Sequence, residues 1–382
     1  MPWCASWAAG ACVNGVRLGH KHVKFVRSRV PSLPSLVSRP MPPLPHQHVP
    51  RVVTYYQTHH DRDGAHISVL PLLQQHGIAL THLIVAAIHL NEDPAALTLN
   101  DHHPSHPRFI VLWAELRILQ AAGIKVLGML GGAAKGTYAR LDSDEATFER
   151  YYAPLALLIR DRGLDGLDLD VEEPMSLAGI IRLIDRLRAD FGPSFIITLA
   201  PVAAALLNVK HNLSGFDYEA LEVMRGRDIA FYNTQMYCGW GDCSNPLMYE
   251  MLIMKGWAPE KLVIGLVTNP ENGSGYVPWE GLSNVLPLLV GRHPRFGGVM
   301  GWEYFNSLPG ARERPWEWAR MMTTLLRGRR AVDAGAEGGD GAVQAHQSGP
   351  AAKEAVDAVN EEKEDSPIPH EFEYYTDTPE EE

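Results

Sequence analysis

The sequence predicts an α/β protein whose single folded domain is a (β/α)8 barrel, because short apolar strands alternate strictly with helices. Most of the eight candidate strands are apolar on both faces, as strands covered on both sides of a parallel sheet must be. A doubly wound open sheet would show a glycine-rich phosphate turn after its first strand. This chain instead continues Tyr55-Tyr56-Gln57-Thr58-His59-His60. Eight units over about 280 residues therefore favour the closed barrel.

The candidate strands are short apolar runs rich in β-branched residues. They are Val52–Tyr56, His82–Ile88, Lys125–Leu130, Gly166–Val171, Phe195–Leu199, Ala230–Met236, Leu262–Val267 and Gly298–Trp302. Three helices carry end signals, which are a following glycine and, for the second, Ser143 as a possible N-cap. These helices are Phe109–Ala122, Ser143–Asp161 and Leu177–Asp190. The remaining gaps hold helical segments near Ile67–Gln75, Asp217–Met224, Pro246–Lys255, Leu282–Leu289 and Trp316–Leu326.

Charge and composition divide the chain into three parts. Residues 1–50 are rich in proline and hold six Lys or Arg but no acidic residue, which predicts a disordered basic extension. Residues 331–382 hold fifteen Asp or Glu against two Lys, which predicts a disordered acidic tail. The folded domain is therefore assigned to residues 51–330, where charge is nearly balanced.

Several classes of protein are not expected. The folded part shows no basic stripe, so a nucleic-acid partner is not predicted. No run of 18 or more apolar residues occurs, so no membrane-spanning helix is predicted. The segment Trp7–Val16 is mildly apolar but lacks a preceding positive region, which favours a cytoplasmic location and leaves a secreted or organellar one open. No zinc-site spacing relates the four cysteines Cys4, Cys12, Cys238 and Cys243. Cys238 and Cys243 could form a disulfide or be two buried thiols, and free thiols are favoured.

The predicted fourth strand carries a ladder of acidic residues. Asp168, Asp170 and Glu172 are two residues apart, so all three side chains point to one face, which in a barrel is the interior. Carboxylates about 6.5–7 Å apart along a strand cannot all ionise cheaply, so at least one should hold a proton near neutral pH. Glu172 ends the strand at the mouth where barrel active sites open, which suits a general acid. Asp168, the deepest, would modulate its neighbours, and Asp165 is out of phase and structural.

Two other readings of the acidic segment compete with general acid catalysis. The acids could edge a solvent-exposed loop, although carboxylates buried between apolar residues are rarely unpaired. They could also bind a metal with His59-His60 and His102-His103, which a hard cation would accept. No His-x-His or His-Glu-x-x-His pattern occurs, and a lone His-His pair is more often exposed. We therefore expect no metal and no cofactor.

The run Asp165–Glu172 has the form Asp-x-x-Asp-x-Asp-x-Glu and strongly resembles the catalytic motif of glycoside hydrolase family 18, the chitinases and endo-β-N-acetylglucosaminidases. Three other segments resemble family motifs and occur in the right order. They are Lys125–Gly132 on the third strand, Gln235–Tyr237 on the sixth and Gly297–Trp302 on the eighth. The resemblance covers residues 51–328 and implies the barrel fold and a retaining glycosidase.

By this resemblance, Glu172 protonates the glycosidic oxygen and the substrate's own 2-acetamido oxygen is the nucleophile. Asp170 orients that group, with Asp168 beneath it. Tyr237 hydrogen-bonds the same group. The resemblance leaves two of these aromatic positions open, since Tyr237 and Trp302 could be plain core residues. The predicted substrate-binding residues are Gln235, Trp302, Trp240 and Tyr55.

The implied partner is an oligo- or polysaccharide containing N-acetylglucosamine, and the implied state is a monomer. The implied reaction is hydrolysis of β-1,4-linked N-acetylglucosamine in chitin or its oligomers. The alternatives are cleavage of N-glycan chitobiose cores and a chitin-binding lectin without catalysis.

Three departures from the family pattern bear on these expectations. Met129 replaces the usual serine of the third strand, which removes one supporting hydrogen bond. Cys238 follows Tyr237, where many relatives carry Asp or Asn. Only about thirty residues separate the last two strands, too few for the α+β insertion that deepens the cleft in some chitinases. A shallow, open cleft and nonprocessive action are therefore expected.

Overall fold

The computed structural model describes residues 50–328. The predicted acidic tail and all but the last residue of the basic extension lie outside the described residues, as do Cys4 and Cys12. The described strands are β1 Arg51–Tyr56, β2 His82–His89, β3 Thr98–Leu99, β4 Lys125–Gly131, β5 Gly166–Asp170, β6 Ile196–Leu199, β7 Phe231–Gln235, β8 Leu262–Val267 and β9 Gly298–Trp302.

Eight parallel strands close into a barrel, which confirms the predicted fold class. The sheet order is β1-β9-β8-β7-β6-β5-β4-β2, and β1 pairs with β2 to close the ring. Strand β3 lies outside the ring and pairs antiparallel with β2. Because all eight strands run the same way, the loops that follow them meet at one mouth of the barrel, where such folds carry their active sites.

The α-helices follow the strands and cover the outside of the barrel. They are α1 Pro71–Gln74, α2 Ile110–Ala121, α3 Thr137–Leu141, α4 Glu145–Arg162, α5 Leu177–Phe191, α6 Ala203–Leu207, α7 Tyr218–Arg225, α8 Leu247–Lys255, α9 Trp279–Arg292 and α10 Glu317–Arg327. Across residues 50–328, no helix is both long and apolar enough to cross a membrane.

All eight predicted barrel strands are confirmed to within two residues, but some details were wrong. Helix α4 begins from Asp144, not Ser143, because the Asp144 carboxylate accepts from the Thr147 backbone N–H at 3.1 Å. The Ser143 hydroxyl instead donates to the Ala139 carbonyl. The short elements β3, α3 and α6 were not predicted, since runs of two to five residues carry too little periodicity to detect.

The alternation predicted for β5 sorts its side chains between two packed regions. Leu167 and Leu169 are fully buried in the layer between the strands and the helices. Asp168 and Asp170 face the barrel interior, beside an apolar cluster that includes Met129 and Tyr237. The acidic ladder therefore stands above an apolar floor.

Asp165 lies out of phase with the ladder and is structural, as expected. Its carboxylate accepts from the Val126 backbone N–H at 2.9 Å and from the Gln120 amide at 2.8 Å. These bonds tie the start of β5 to β4 and α2. Asp165 therefore fixes the register that brings the ladder to the mouth of the barrel.

Replacing Gly298 by alanine should strain the contact that closes the barrel between β1 and β9. Gly298 has φ +125°, and an added Cβ would lie 2.2 Å from the Arg51 carbonyl oxygen. We expect Gly298→Ala to lower the free energy of unfolding by about 3 kcal/mol, measured by urea denaturation. Gly291, exposed in α9 with open space around it, is the control, and Gly291→Ala should stabilise by about 0.5–1 kcal/mol. Equal stability of Gly298→Ala and wild type would contradict this view of the closure.

Candidate active site

The acidic ladder lies at the C-terminal end of β5, at the mouth of the barrel. Asp168 is fully buried and Asp170 is 6% exposed. Glu172 is two residues beyond the strand, partly buried, and lines a cavity of about 480 Å³ together with Asp170. The ladder thus descends from the cleft wall into the barrel, with Glu172 in reach of a ligand and Asp168 enclosed.

Asp168 is held by donors from three other strands. The Tyr55 hydroxyl of β1 donates to it at 2.6 Å, the Thr198 hydroxyl of β6 at 2.5 Å and the Asn233 amide of β7 at 3.0 Å. Burial raises the pKa of Asp168, while the three hydrogen bonds act in the opposite direction because they favour the ionised form. Asp168 is therefore enclosed by the barrel, with three protein donors in place of water.

Asp170 has a different environment, and its pKa is raised well above the usual range. Burial is the largest cause, followed by the charges of Glu172 and Asp168 on either side. Among residues 50–328, its one side-chain hydrogen bond is from the Gln235 amide at 3.2 Å. The sequence prediction that one ladder carboxyl keeps its proton is thus assigned to Asp170.

Gln235 links the two carboxyls that face the cleft. Its Nε2 lies 3.2 Å from Asp170 Oδ1, 3.2 Å from Glu172 Oε1 and 3.0 Å from the Ala200 carbonyl. An amide nitrogen has two hydrogens for these three acceptors, so the contacts are shared. Gln235 fixes the spacing of Asp170 and Glu172 while leaving each carboxyl able to bind a ligand.

Three aromatic side chains predicted from the sequence line the same cavity: Tyr237, Trp240 and Trp302. Burial, followed by the charges of Asp170 and Glu172, raises the pKa of Tyr237 well above its ordinary value, so its hydroxyl stays a donor. That hydroxyl makes no hydrogen bond with any residue in the described part of the chain. Trp302 is partly exposed and meets Tyr55 edge-on, with ring centroids 5.4 Å apart.

Tyr55 was predicted to bind substrate, but it does not line this cavity. Its side chain is 2% exposed, and its hydroxyl is taken by Asp168. The side chain of an inward-facing residue near the end of a barrel strand can point to the mouth or to the floor of the barrel. The sequence does not show which of the two directions it takes. The geometry favours a role for Tyr55 beneath the ligand, as a support for Asp168 and Trp302.

Several residues of the site were missed by the sequence reasoning. Asn233 and Thr198 hold Asp168, and Gln57, His89 and Asn272 line the cavity. Asn233 could have been found, because it is two residues before Gln235 on one strand and therefore shares its inward face. Gln57, His89 and Asn272 lie at or beyond the ends of strands and gave no comparable signal.

Two residues that depart from the family pattern, Met129 and Cys238, both lie in the wall of the cavity. Met129 is buried in the interior cluster and lines the cavity. Cys238 is exposed, with φ +53°, and also lines the cavity. Cys238 and Cys243 are both free, as expected.

The expected absence of a metal site remains a prediction. Within residues 50–328, no group of three or more His, Cys, Asp or Glu side chains could hold a metal ion. The expectation that the His-His pairs are exposed was wrong for His59, which is 3% exposed and hydrogen-bonds the Tyr56 carbonyl at 3.0 Å. Burial lowers the pKa of His59 to about 3, so it is a neutral packing residue.

A barrel of this kind, with carboxyl groups and aromatic side chains around a cleft at its C-terminal mouth, defines a class of carbohydrate-active proteins. The model of glycosyl hydrolases family 18 matches residues 51–275. The chain therefore belongs to glycosyl hydrolases family 18.

Two solved structures are similar over most of the barrel. A fungal endo-β-N-acetylglucosaminidase of this family is 51% identical, covers 73% of this chain and 99% of its own, and has a TM-score of 0.71. A chitinase from Aspergillus fumigatus is 56% identical, covers 72% of this chain and 98% of its own, and has a TM-score of 0.67.

Curated relatives are more distant. Chitinase 2 of Rhizopus oligosporus is 29% identical over 211 residues, which are 50% of this chain and 36% of the relative. Chitinase 1 of Rhizopus niveus is 26% identical over 208 residues, 50% of this chain and 39% of the relative. The chain thus spans well under half of the length of these two chitinases.

Asp170→Asn should stabilise the protein, and the gain should grow with pH. Folded Asp170 binds its proton more tightly than the unfolded chain does, so stability is lost as pH rises from about 3.9 through the higher folded pKa. Asparagine removes this loss. Urea denaturation at pH 4, 6 and 8 should show a gain near zero at pH 4 and above about 1 kcal/mol at pH 8.

Asp144 is the control of opposite sign, because hydrogen bonds to Thr147 lower its pKa. Asp144→Asn should therefore lose more stability at pH 8 than at pH 4. A gain for Asp170→Asn that does not depend on pH would show that Asp170 does not carry the raised pKa.

Proposed function

We propose that the protein is a retaining glycosidase that hydrolyses β-1,4-linked N-acetylglucosamine, with Glu172 as general acid and the substrate's acetamido group as nucleophile. The observation that carries this proposal is the pair Asp170–Glu172, two carboxyls on one cleft wall joined through Gln235. Acid catalysis requires a neutral carboxyl, and stabilisation of a cation requires a charged one. Two neighbouring carboxyls that share a proton supply both.

The first step needs a proton on Glu172. Since the charge of Glu172 raises the pKa of Asp170 and Gln235 joins the two carboxyls, the pair holds a proton that either residue can carry. When Glu172 carries it, Asp170 is the anion. Glu172 then gives the proton to the glycosidic oxygen as the bond from that oxygen to the anomeric carbon breaks.

The acetamido carbonyl oxygen of the same sugar forms the new bond to the anomeric carbon, on the opposite face. The resulting ring is cationic, and the Asp170 carboxylate stabilises it while accepting a hydrogen bond from the acetamido N–H. The free Tyr237 hydroxyl is available to donate to the acetamido oxygen. Water then attacks the anomeric carbon as the bond from that carbon to the acetamido oxygen breaks. The proton of the water passes to Glu172, the acetamido group is restored, and the two inversions retain the configuration.

The buried position of Asp168 supports this assignment of the nucleophile. Its two oxygens are occupied by three protein donors beneath Asp170, so it does not reach an anomeric carbon in the cleft. Trp302 supplies an aromatic face for the apolar face of the sugar, and Trp240 supplies a second in the wall of the same cavity.

Two kinds of carbohydrate are candidates for the substrate that carries the scissile bond. Chitin or its oligomers are favoured by the similarity to the chitinases. Cleavage of the chitobiose core of N-glycans is the second, because one similar solved structure, at 51% identity, is an endo-β-N-acetylglucosaminidase. Products from chitin oligomers beside those from a high-mannose glycopeptide distinguish the two. The lectin alternative is disfavoured because the acid Glu172 is present.

Glu172→Gln should abolish turnover while leaving the fold intact. Removing a general acid costs about 10²–10⁴ in rate, so kcat/KM on a chitotriose fluorogenic substrate should fall on the order of 10³-fold. Glu313 is the matched control, since it is exposed and forms no ion pair with any residue between 50 and 328. Glu313→Gln should retain full activity. Comparable turnover by Glu172→Gln and wild type would refute the assignment.

Cleavage should also require the 2-acetamido group of the substrate, because that group is the nucleophile. A chitooligosaccharide whose scissile unit carries a free amine in place of the acetamido group should bind but not be cleaved. Wild-type cleavage of the acetylated parent should release the β-anomer first, as seen by proton NMR within the first minutes. Cleavage of the amine analogue at the parent's rate, or initial release of the α-anomer, would rule out acetamido participation.

A further inference from the structure

A second chamber of about 680 Å³ adjoins the catalytic cleft. The two cavities share Gln57, His89 and Ala134 as wall residues. The chamber is formed by the segments that follow β1, β2 and β4, and β2 lies opposite β7 in the closed ring. A chain of sugars that starts at the Tyr237 side and crosses the cleft therefore arrives at this chamber.

Three cationic side chains line the chamber: Arg108, Lys135 and Arg140. None of them forms an ion pair with a carboxylate in residues 50–328. Arg108 lies 3.2 Å from His102 Nδ1, and the Arg140 guanidinium lies 5.9 Å from the centre of the Tyr151 ring. Lys135 is exposed. These charges are therefore free to act on a ligand.

Little negative charge opposes them. Asp101 is the one carboxylate among the lining residues of the chamber. Two further carboxylates lie behind the wall, each 6% exposed. Glu173 accepts from the backbone N–H groups of Gly136 and Tyr138, each at 2.7 Å. Glu303 accepts from the backbone N–H groups of Gln57 and Thr58, at 2.9 and 2.8 Å.

Three histidines of the chamber have pKa values that are lowered by burial, and these three add no positive charge at neutral pH. Burial lowers the pKa of His59 to about 3 and lowers the pKa values of His60 and His89 as well. The fixed charge of the chamber is therefore positive, while the catalytic cleft beside it carries the acidic ladder.

We propose that this chamber is a charge-selecting subsite that accepts N-acetylglucosamine and rejects glucosamine, whose ammonium group would face the unpaired Arg108, Lys135 and Arg140. An acetylated unit is neutral and meets no such repulsion. The inference rests on the proposed function, because it assumes that a chitin-like chain occupies the cleft. It adds that the protein discriminates against deacetylated units at one end of the chain it binds.

The selection should be modest and sensitive to salt. Charges of like sign a few ångströms apart repel only weakly in water, and ions at 0.1 M screen them beyond about 10 Å. We therefore expect a several-fold effect on affinity at low ionic strength and its loss at high ionic strength. Shape-based rejection of glucosamine would not depend on salt.

The test uses the Glu172→Gln protein and calorimetric titration with three hexasaccharides. One is fully acetylated, and each of the others carries a single glucosamine, at the reducing or at the non-reducing end. At 20 mM salt, one of the two glucosamine ligands should bind roughly 3- to 10-fold more weakly than the acetylated one. The difference should vanish at 0.5 M salt.

Two triple variants in the same background make the test specific. Arg108→Gln with Lys135→Gln and Arg140→Gln should bind all three ligands equally at 20 mM salt. The matched control removes the same net charge at exposed positions outside the chamber, through Arg117→Gln, Arg150→Gln and Arg227→Gln, and should keep the discrimination.

Two outcomes would overturn the inference. One is equal binding of the three hexasaccharides by the parent at low salt, and the other is discrimination that persists in the chamber variant. Failure of the proposed function is distinct, because wild type would then leave the acetylated hexasaccharide uncleaved, whatever the affinity of the Glu172→Gln protein for it.

Discussion

The burial of Asp168 and Asp170 inside the barrel is the constraint on which the rest of the site depends. Buried carboxyls must be hydrogen-bonded or neutral. The barrel meets the first requirement at Asp168, through hydroxyl and amide donors from β1, β6 and β7. It meets the second at Asp170, whose neighbours are the charges of Asp168 and Glu172. The fold therefore favours the protonated form of the Asp170 carboxyl.

This arrangement explains why the interior of the barrel is divided. Apolar residues from most strands fill the floor, where they hold the strands in place, and polar residues occupy the layer towards the mouth. Gln235 belongs to that polar layer and links the ladder to the cleft. Retaining a raised pKa costs stability at neutral pH, so the ladder is a place where function is favoured over stability. The cationic chamber beside it extends the same division of charge beyond the catalytic centre.

Periodicity explains how much of this was predictable. Alternation two residues apart on β5 placed Asp168, Asp170 and Glu172 on one face, and burial on both faces identified the eight strands. The support of Asp168 by Tyr55 was beyond sequence reasoning, because β1 and β5 are far apart in the chain and meet only through the closed barrel. The chamber was equally hidden, since its wall combines loops after three strands whose residues show no shared period.

The most direct test of the account is the protonation state of Asp170 in the free protein. A carbon-13 NMR titration of protein labelled at its Asp and Glu carboxyl carbons, with Asp170→Asn to assign the signal, measures it. We expect the Asp170 carboxyl to keep its proton well above the pH of about 4 at which ordinary aspartates ionise. Ionisation of every aspartate in the ordinary range, with no late signal lost in Asp170→Asn, would contradict the account.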